Sequence, residues 1–330
     1  MAGIGKRMRP HTLSTPKPLI PIAGKSITER LVEEILKTID KKIENIGFII
    51  GDFGEDVEKT LLNIADKYGA KGRIFYQKEA LGTAHAIFCA EPLLTGKVLI
   101  AFADTLFDAN FKLDEAKDAT IWTHKVENPE SFGVVKTDKN NLVSEFIEKP
   151  KEFVSDLAII GIYYFKDGSI LKNEIKNLID NKVLVNNEYQ ITDALENMKN
   201  KGIKFSVDKV DQWLDCGNKN ATIFTNQRIL ELKKDNEKLI DKSAVIKNSN
   251  VIHPCYIGKN VFIENSVIGP YASIGDNSII KQSIISNSII QSNTKIELLV
   301  LEESMIGSYS EITGHKDIVN VGDYCKLNSF

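Results

Sequence analysis

The first 28 residues contain no Asp or Glu, although the 330-residue chain has 45 of them. The same stretch holds Lys6, Arg7, Arg9, Lys17 and Lys25 among glycines and prolines. A carboxylate-free segment of this kind suits a small polyanion such as a triphosphate, or else it is a basic disordered tail. Also missing is any apolar run near the roughly 20 residues that a membrane helix needs. No close cysteine pair occurs: Cys89, Cys216, Cys255 and Cys325 lie far apart, without metal-ligand spacing. Free thiols in a reducing compartment account for them. With no signal-peptide pattern in view, a cytoplasmic location is expected. The net charge of −3 supplies no global field for nucleic acid or an anionic membrane, so neither is expected as a partner. With 42% hydrophobic and 26% charged residues the chain reads as soluble and globular, and its length suggests two domains or one with an appendage.

Strand-like and helix-like segments alternate over the first two-thirds. Ile27, Leu31, Val32, Ile35, Leu36 and Ile39 recur at helical spacing, and the apolar run 46–50 follows. Val57, Leu61, Leu62, Ile64 and Ala65 mark a second amphipathic helix. The dense run Val98 to Phe102 predicts a strand buried on both faces. Later strands are expected near 120–123, 132–136, 142–146, 158–165 and 204–207, with helices near 168–179 and 190–200. Such alternation predicts an α/β domain with a mostly parallel sheet.

A polar helix near 218–235 leads into a charged connector ending at Asp241. Beyond it Val251, Ile257, Ile263, Ile268, Ile274, Ile280, Ile285, Ile290 and Ile296 recur every five or six residues, separated by Gly, Asn, Ser and Asp. This period predicts a parallel β-helix, in which each short strand points one aliphatic side chain inward. One coil cannot bury its own face, so stacking stabilises the array. A disordered Asn/Ser-rich tail would not carry so regular an aliphatic repeat. The predicted division is therefore 1–225, a helical connector 226–241, and a β-helix 242–330.

At the other end Met1 sits directly against a glycine-bearing loop, with no strand ahead of it. Nucleotide loops normally hang from the end of a buried strand. The first strand is therefore expected to lie upstream of Met1. The loop reads Ala2-Gly3-Ile4-Gly5-Lys6-Arg7-Met8-Arg9-Pro10, then His11-Thr12 and Pro16-Lys17-Pro18-Leu19. Ala2, Gly3 and Gly5 would let backbone N–H groups approach a phosphate. Arg7 can fork onto phosphate oxygens, and Lys17 presents a point charge from between two prolines. Gly24-Lys25-Ser26 is not the end of a Walker A loop, because position 19 is Leu. A Rossmann fingerprint is incomplete, because position 8 is Met.

The pattern G-x-G-x-R-x-x-P-x-T-x-x-x-P-K-P-L resembles the signature of the sugar-1-phosphate nucleotidylyltransferases, which include glucose-1-phosphate thymidylyltransferase. Further matches follow in family order over about residues 1–225. The segment Gln77 to Ala86, with Gly82 and Thr83, resembles the family's base-recognition segment and is nearest to uridylyl and thymidylyl members. Without the family it is a helix start, with Thr83 as its cap. Asp104, after the apolar strand, and Asp215, in Trp213-Leu214-Asp215-Cys216-Gly217, resemble the pair that holds Mg²⁺. The family usually has Gly where Ala103 stands. Gly133, the pair Glu148 and Lys149, and Gly161 with Tyr163 resemble the sugar-phosphate segments, in which Gly133 approaches the ring, Glu148 takes hydroxyls, Lys149 meets phosphate and Gly161 keeps space for the sugar.

The resemblance implies a Rossmann-like nucleotide-diphospho-sugar transferase domain followed by a short left-handed hexapeptide-repeat β-helix. It implies transfer of a nucleotidyl group from an NTP, with dTTP or UTP favoured, to a sugar 1-phosphate, with glucose 1-phosphate favoured. Arg7 and Lys17 would be catalytic, and the enzyme is expected to be a homo-oligomer. The rivals are a mannose-1-phosphate guanylyltransferase and a non-catalytic regulatory homologue. The second expects loss of Arg7, Lys17, Asp104 or Asp215, and all four are present. An acyltransferase tail would need a catalytic His and a longer array than the stretch carrying His253 and His315.

Overall fold

A short hairpin, β1 (Pro21–Ile22) with β2 (Lys25–Ser26), turns through Ala23 and Gly24, both at positive φ. Ser26 then accepts a hydrogen bond from the Glu29 N–H (3.1 Å) and caps α1 (Ile27–Thr38). The spacing read from the sequence gives α1 a buried stripe of Ile27, Leu31, Val32 and Ile35. β3 (Asn45–Ile50), α2 (Glu55–Lys67) and β4 (Lys71–Tyr76) follow, and β3 and β4 pair in parallel, as a helical crossover allows. This computed structural model describes residues 5–315, so Ala2, Gly3 and Cys325 fall outside the described residues. The chain divides between Thr225 and Asn226 into two compact units.

The next elements are α3 (Thr83–Phe88), β5 (Val98–Ala101), β6 (Thr105–Asp108), β7 (Ala119–Lys125), β8 (Gly133–Thr137), β9 (Val143–Glu148) and β10 (Leu157–Phe165). They are followed by α4 (Gly168–Asp180), α5 (Ile191–Asn200), β11 (Phe205–Lys209), β12 (Gln212–Asp215) and α6 (Lys219–Lys233). The main sheet has the order β11-β7-β10-β8-β9, with β5 also on β10. The α/β architecture is as expected, but the sheet is mixed rather than mostly parallel. Only β11 with β7 is parallel; β10 runs antiparallel to β5, β7 and β8, and β8 runs antiparallel to β9. The reason lies in the connections. From β7 to β10 no α-helix intervenes, and strands that follow one another through short links pair as antiparallel neighbours.

Every residue of β10 is buried. Phe165, Phe205 and Phe146 meet edge-to-face behind it, and Leu171, Ile175, Leu195 and Met198 of α4 and α5 complete that core. β5 departs from its prediction. Its four residues are half-buried, not enclosed on both faces. β6 and β12 form an antiparallel ribbon that the sequence did not suggest.

In the second unit, three parallel stacks replace a flat sheet. Ile263 lies over Ile280 and Ile296 in one, Ile268 over Ile285 and Leu301 in another, and Ile257 over Ile274, Ile290 and Ile306 in the third. The spacing of five or six residues is thus one third of a coil. The corners are built by residues at positive φ that also stack: Asn260, Asn277 and Asn293 at one, Asn248, Asn265 and Gln282 at the next. Asn tolerates this left-handed conformation better than most side chains. Cys89, Cys216 and Cys255 are free thiols, and no helix among the described residues is long and apolar enough to cross a membrane.

Candidate active site

Gly5 sits at φ 56°, and its carbonyl accepts hydrogen bonds from the Met8 N–H (2.9 Å) and the Thr12 hydroxyl (2.8 Å). A Cβ on Gly5 would lie 3.0 Å from Thr12 Cγ2 and 3.3 Å from Lys17 Cβ, so this glycine lets the loop close onto Lys17. Lys17 opens a single 3₁₀ turn between Pro16 and Pro18, which the Leu19 N–H closes onto the Pro16 carbonyl (2.8 Å). Its ammonium reaches Asp104 Oδ2 at 2.8 Å. Lys17 is 11% exposed, whereas the Asp104 side chain keeps 46% of its surface open, although protein packs densely behind it. Burial would raise the Asp104 carboxyl; Lys17 outweighs it and holds the group below the usual carboxylate range.

The β6–β12 ribbon brings in the second carboxylate. Asp215 stands opposite Thr105, and the Cys216 N–H donates to the Asp104 carbonyl (3.1 Å). The Thr225 hydroxyl donates to the Asp215 carbonyl (2.7 Å) and fixes that turn. Burial pushes the Asp215 carboxyl up and the Asp104 charge adds to the rise, against the Gly217 N–H, Lys17 and Arg7. Arg7 therefore lies close enough for its charge to act on Asp215. Among the described residues no group of three or more metal-ligating side chains occurs. Two adjacent carboxylates, Asp104 held low by Lys17 and Asp215 raised mainly by burial, fit Mg²⁺, which takes one or two carboxylates and fills its remaining positions with phosphate and water.

The segment from Gln77 to Ala86 is tied to a part of the chain that sequence reasoning missed. Gln77 Nε2 donates to the Gly82 carbonyl (3.0 Å) and lies 3.2 Å from His85 Nδ1. Gly82 has φ 101°, and a Cβ there would strike the Tyr189 backbone oxygen at 2.6 Å. Its close approach is thus to protein backbone. Tyr189 N–H donates to Leu81 and Ala84 N–H donates back to Tyr189, so residues 81–84 and 189 form one clamp. Thr83 does not cap its own helix: its hydroxyl accepts from the Ile191 N–H (3.0 Å) at the start of α5. Thr83→Ala is expected to cost about 1 kcal/mol, the worth of a helix cap, measured as a lower midpoint in urea; an unchanged midpoint would count against this role.

Gly133 pairs with Glu148 across β8 and β9. Glu148 is approached at Oε2 by the Thr192 hydroxyl (3.3 Å) and at Oε1 by Lys149 Nζ (3.7 Å). Lys149 is exposed and at positive φ, with its N–H on the Phe132 carbonyl. Burial raises the Glu148 carboxyl, and the neighbouring Asp193 contributes to the rise. Asp193 is itself pushed up by burial, and its Oδ2 is buried without a partner. Thr192 and Asp193 look in sequence like an ordinary helix start, so no signal marked them. Two residues expected at the sugar, Gly161 and Tyr163, stand against protein. The space at Gly161, where φ is 83°, is taken by the Phe102 ring, 2.7 Å from where a Cβ would be. Tyr163 is 2% exposed and stacks edge-on to Phe102 within the core, its phenol pushed up by burial and by Glu148. Phe132 and Trp213 meet at 4.8 Å and join the start of β8 to the Asp215 turn.

The model of the nucleotidyl transferase family matches residues 1–231. The bifunctional protein GlmU of Methanococcus maripaludis is 32% identical, over 93% of this chain and 76% of that protein. The glucose-1-phosphate thymidylyltransferase of Streptomyces griseus is 24% identical, over 98% of this chain and 96% of that one. Among solved structures, a Bacillus anthracis protein described as a glucose-1-phosphate thymidylyltransferase, in complex with sucrose, shares the fold. It has a TM-score of 0.59 and 23% identity, and the match covers 72% of this chain and 94% of that one. With the signature motifs, the mixed-sheet fold and a family match over most of its length, the chain belongs to the nucleotidyl transferase family, as an enzyme of the sugar-1-phosphate type.

Proposed function

We propose that this enzyme transfers a nucleotidyl group from dTTP or UTP to glucose 1-phosphate, at a site built by Arg7, Lys17, Asp104 and Asp215. The observation that carries the site is the Lys17–Asp104 pair beside Asp215, with the charge of Arg7 on the same patch. An oxygen of the sugar phosphate attacks the α-phosphorus in line; the bond from that phosphorus to the bridging oxygen breaks, and pyrophosphate leaves. The nucleophile is already an anion, so the protein's work is positioning and charge stabilisation. Arg7 and Lys17 offset charge on the α-phosphate and the leaving group. Asp104 and Asp215 would hold Mg²⁺, which supplies Lewis-acid stabilisation of the phosphate oxygens. Lys149 holds the incoming phosphate, and Glu148 accepts from sugar hydroxyls.

The base preference rests on Gln77. Its amide nitrogen faces the Gly82 carbonyl and His85, which leaves its carbonyl oxygen as the free group. That acceptor suits a ring N–H, which thymine, uracil and guanine have and adenine and cytosine lack at the matching edge. The wording of residues 77–86 favours the first two. Catalysis is assigned to residues 1–225, and assembly into a homo-oligomer to residues 242 onward, joined by 226–241. A panel of triphosphates against sugar 1-phosphates, read as pyrophosphate release, tests the function. The expected result is fastest release with dTTP or UTP and glucose 1-phosphate, abolished by a chelator. Preference for GTP with mannose 1-phosphate, or no release with any pair, would overturn it.

A further inference from the structure

Beside the apolar stripe of α1, two polar side chains are shut away that the mechanism does not use: Thr28 is 3% exposed and Arg30 is 0% exposed. A buried guanidinium is costly unless its N–H groups are bonded and its charge is paired. Arg30 meets both conditions. Its Nε donates to the Ile22 carbonyl (3.2 Å) and its Nη2 to the Ala23 carbonyl (2.5 Å), and its Nη1 lies 3.5 Å from Glu33 Oε2. Glu33 Oε1 in turn accepts from Lys25 Nζ (2.6 Å), so both arms of the β1–β2 hairpin are tied to α1. Among the described residues β1 pairs only with β2, and its other edge has to find partners off the sheet. The same helix reaches further back along the segment. The Ile27 N–H donates to the Ile20 carbonyl (3.0 Å), and the Thr28 hydroxyl donates to the carbonyl of buried Pro18 (3.0 Å). Residues 27, 28 and 30 thus hold the carbonyls of 18, 20, 22 and 23.

We propose that Thr28 and Arg30 are positioning residues for Lys17. Pro16 and Pro18 have no N–H to give, and the turn that carries Lys17 closes on itself through the N–H groups of Leu19 and Ile20. Its outgoing side is fixed from α1. Thr28 holds the carbonyl one residue beyond Lys17, and Arg30 anchors the hairpin into which the segment runs. With both in place the Lys17 ammonium stands 2.8 Å from Asp104. Without the Thr28 hydroxyl the Pro18 carbonyl is a buried acceptor that has lost its donor, and the turn shifts to find another. A displacement of about 1 Å is enough to cost turnover up to about a hundredfold. The proposal rests on the reading of Lys17 as catalytic, and a double-mutant cycle separates the two.

The test measures kcat by pyrophosphate release at saturating substrates in the full chain. The variants are Thr28→Val, Thr28→Ser, Lys17→Ala, and Thr28→Val combined with Lys17→Ala. Thr28→Val keeps the shape without the hydroxyl; it is expected to lower kcat by about tenfold with both KM values little changed. Thr28→Ser is expected to restore most of the loss. In the Lys17→Ala background Thr28→Val is expected to add nothing, because its effect passes through the missing ammonium. Arg30→Lys keeps the charge but not the fork; it should show the same pattern, and it carries the test should Thr28→Val not fold. Three results would overturn the proposal. A fall in Lys17→Ala with wild-type kcat in Thr28→Val removes the positioning role and leaves Lys17 in the site. An equal fall from Thr28→Val in both backgrounds makes Thr28 merely structural. Wild-type kcat in Lys17→Ala removes the catalytic reading of Lys17 together with the proposal.

Discussion

Asp104→Asn lowers turnover by about a hundredfold or more, the scale of losing one strong transition-state contact. Lys17→Ala and Arg7→Ala fall on the same scale. The double variant of Asp104 and Lys17 is only slightly worse than either alone, because groups that act as a unit lose their effect together. The reason is the 2.8 Å pair. Without Asp104, Lys17 loses the partner that fixes its ammonium; without Lys17, Asp104 becomes a half-buried carboxylate beside Asp215 with less reason to ionise. All three effects should fall mainly on kcat, since the charge they offset develops as pyrophosphate departs. Steady-state pyrophosphate release with both substrates saturating is the measurement. Near wild-type turnover in Asp104→Asn and Lys17→Ala would remove both residues from the site.

What was legible in the sequence is what depends on local spacing. The stripe of α1 sits where its residue types put it, and the Ile263–Ile280–Ile296 ladder follows from a repeat that each coil restates. What was not legible depends on pairing between distant segments. The β6–β12 ribbon joins residues about a hundred positions apart, and neither strand is long enough to announce itself. The mixed sheet follows from which strands lack a helix between them, which short apolar runs do not reveal. Glycines are a third case. At Gly82 and Gly161 the sequence shows a need for space but not who fills it, and the occupants are the Tyr189 backbone and the Phe102 ring. Thr83 likewise offers a hydroxyl for a cap, but only the fold shows that the capped helix starts at Ile191.

Glu148→Ala is expected to lower kcat/KM for glucose 1-phosphate by about tenfold to a hundredfold, the worth of hydrogen bonds to a charged group, with little change in the KM for the triphosphate. A pH dependence accompanies it. The groups facing Glu148 are Thr192, Lys149, Asp193 and, beneath it, Tyr163. Burial is the main influence and raises the carboxyl; Lys149 and Thr192 pull it down, and Asp193 pushes it up. Because the folded value is raised, the empty protein gains stability from Glu148 as pH falls, and loses that gain as pH rises through the raised value. Sugar binding has the opposite sign. Hydroxyls donate best to the ionised carboxylate, so affinity for the sugar phosphate should weaken as pH falls through the raised value, earlier than for a glutamate near its ordinary 4.3. Glu148→Gln keeps the shape and cannot titrate. Its affinity should be lower than that of the wild type at neutral pH and should fall less steeply, because only the second ionisation of the substrate phosphate is then left to titrate, at about pH 6. Binding of glucose 1-phosphate measured by calorimetry from neutral pH downward, in both proteins, decides the matter. Parallel declines would place the titrating group elsewhere, with Asp193 next in line because its buried Oδ2 has no partner.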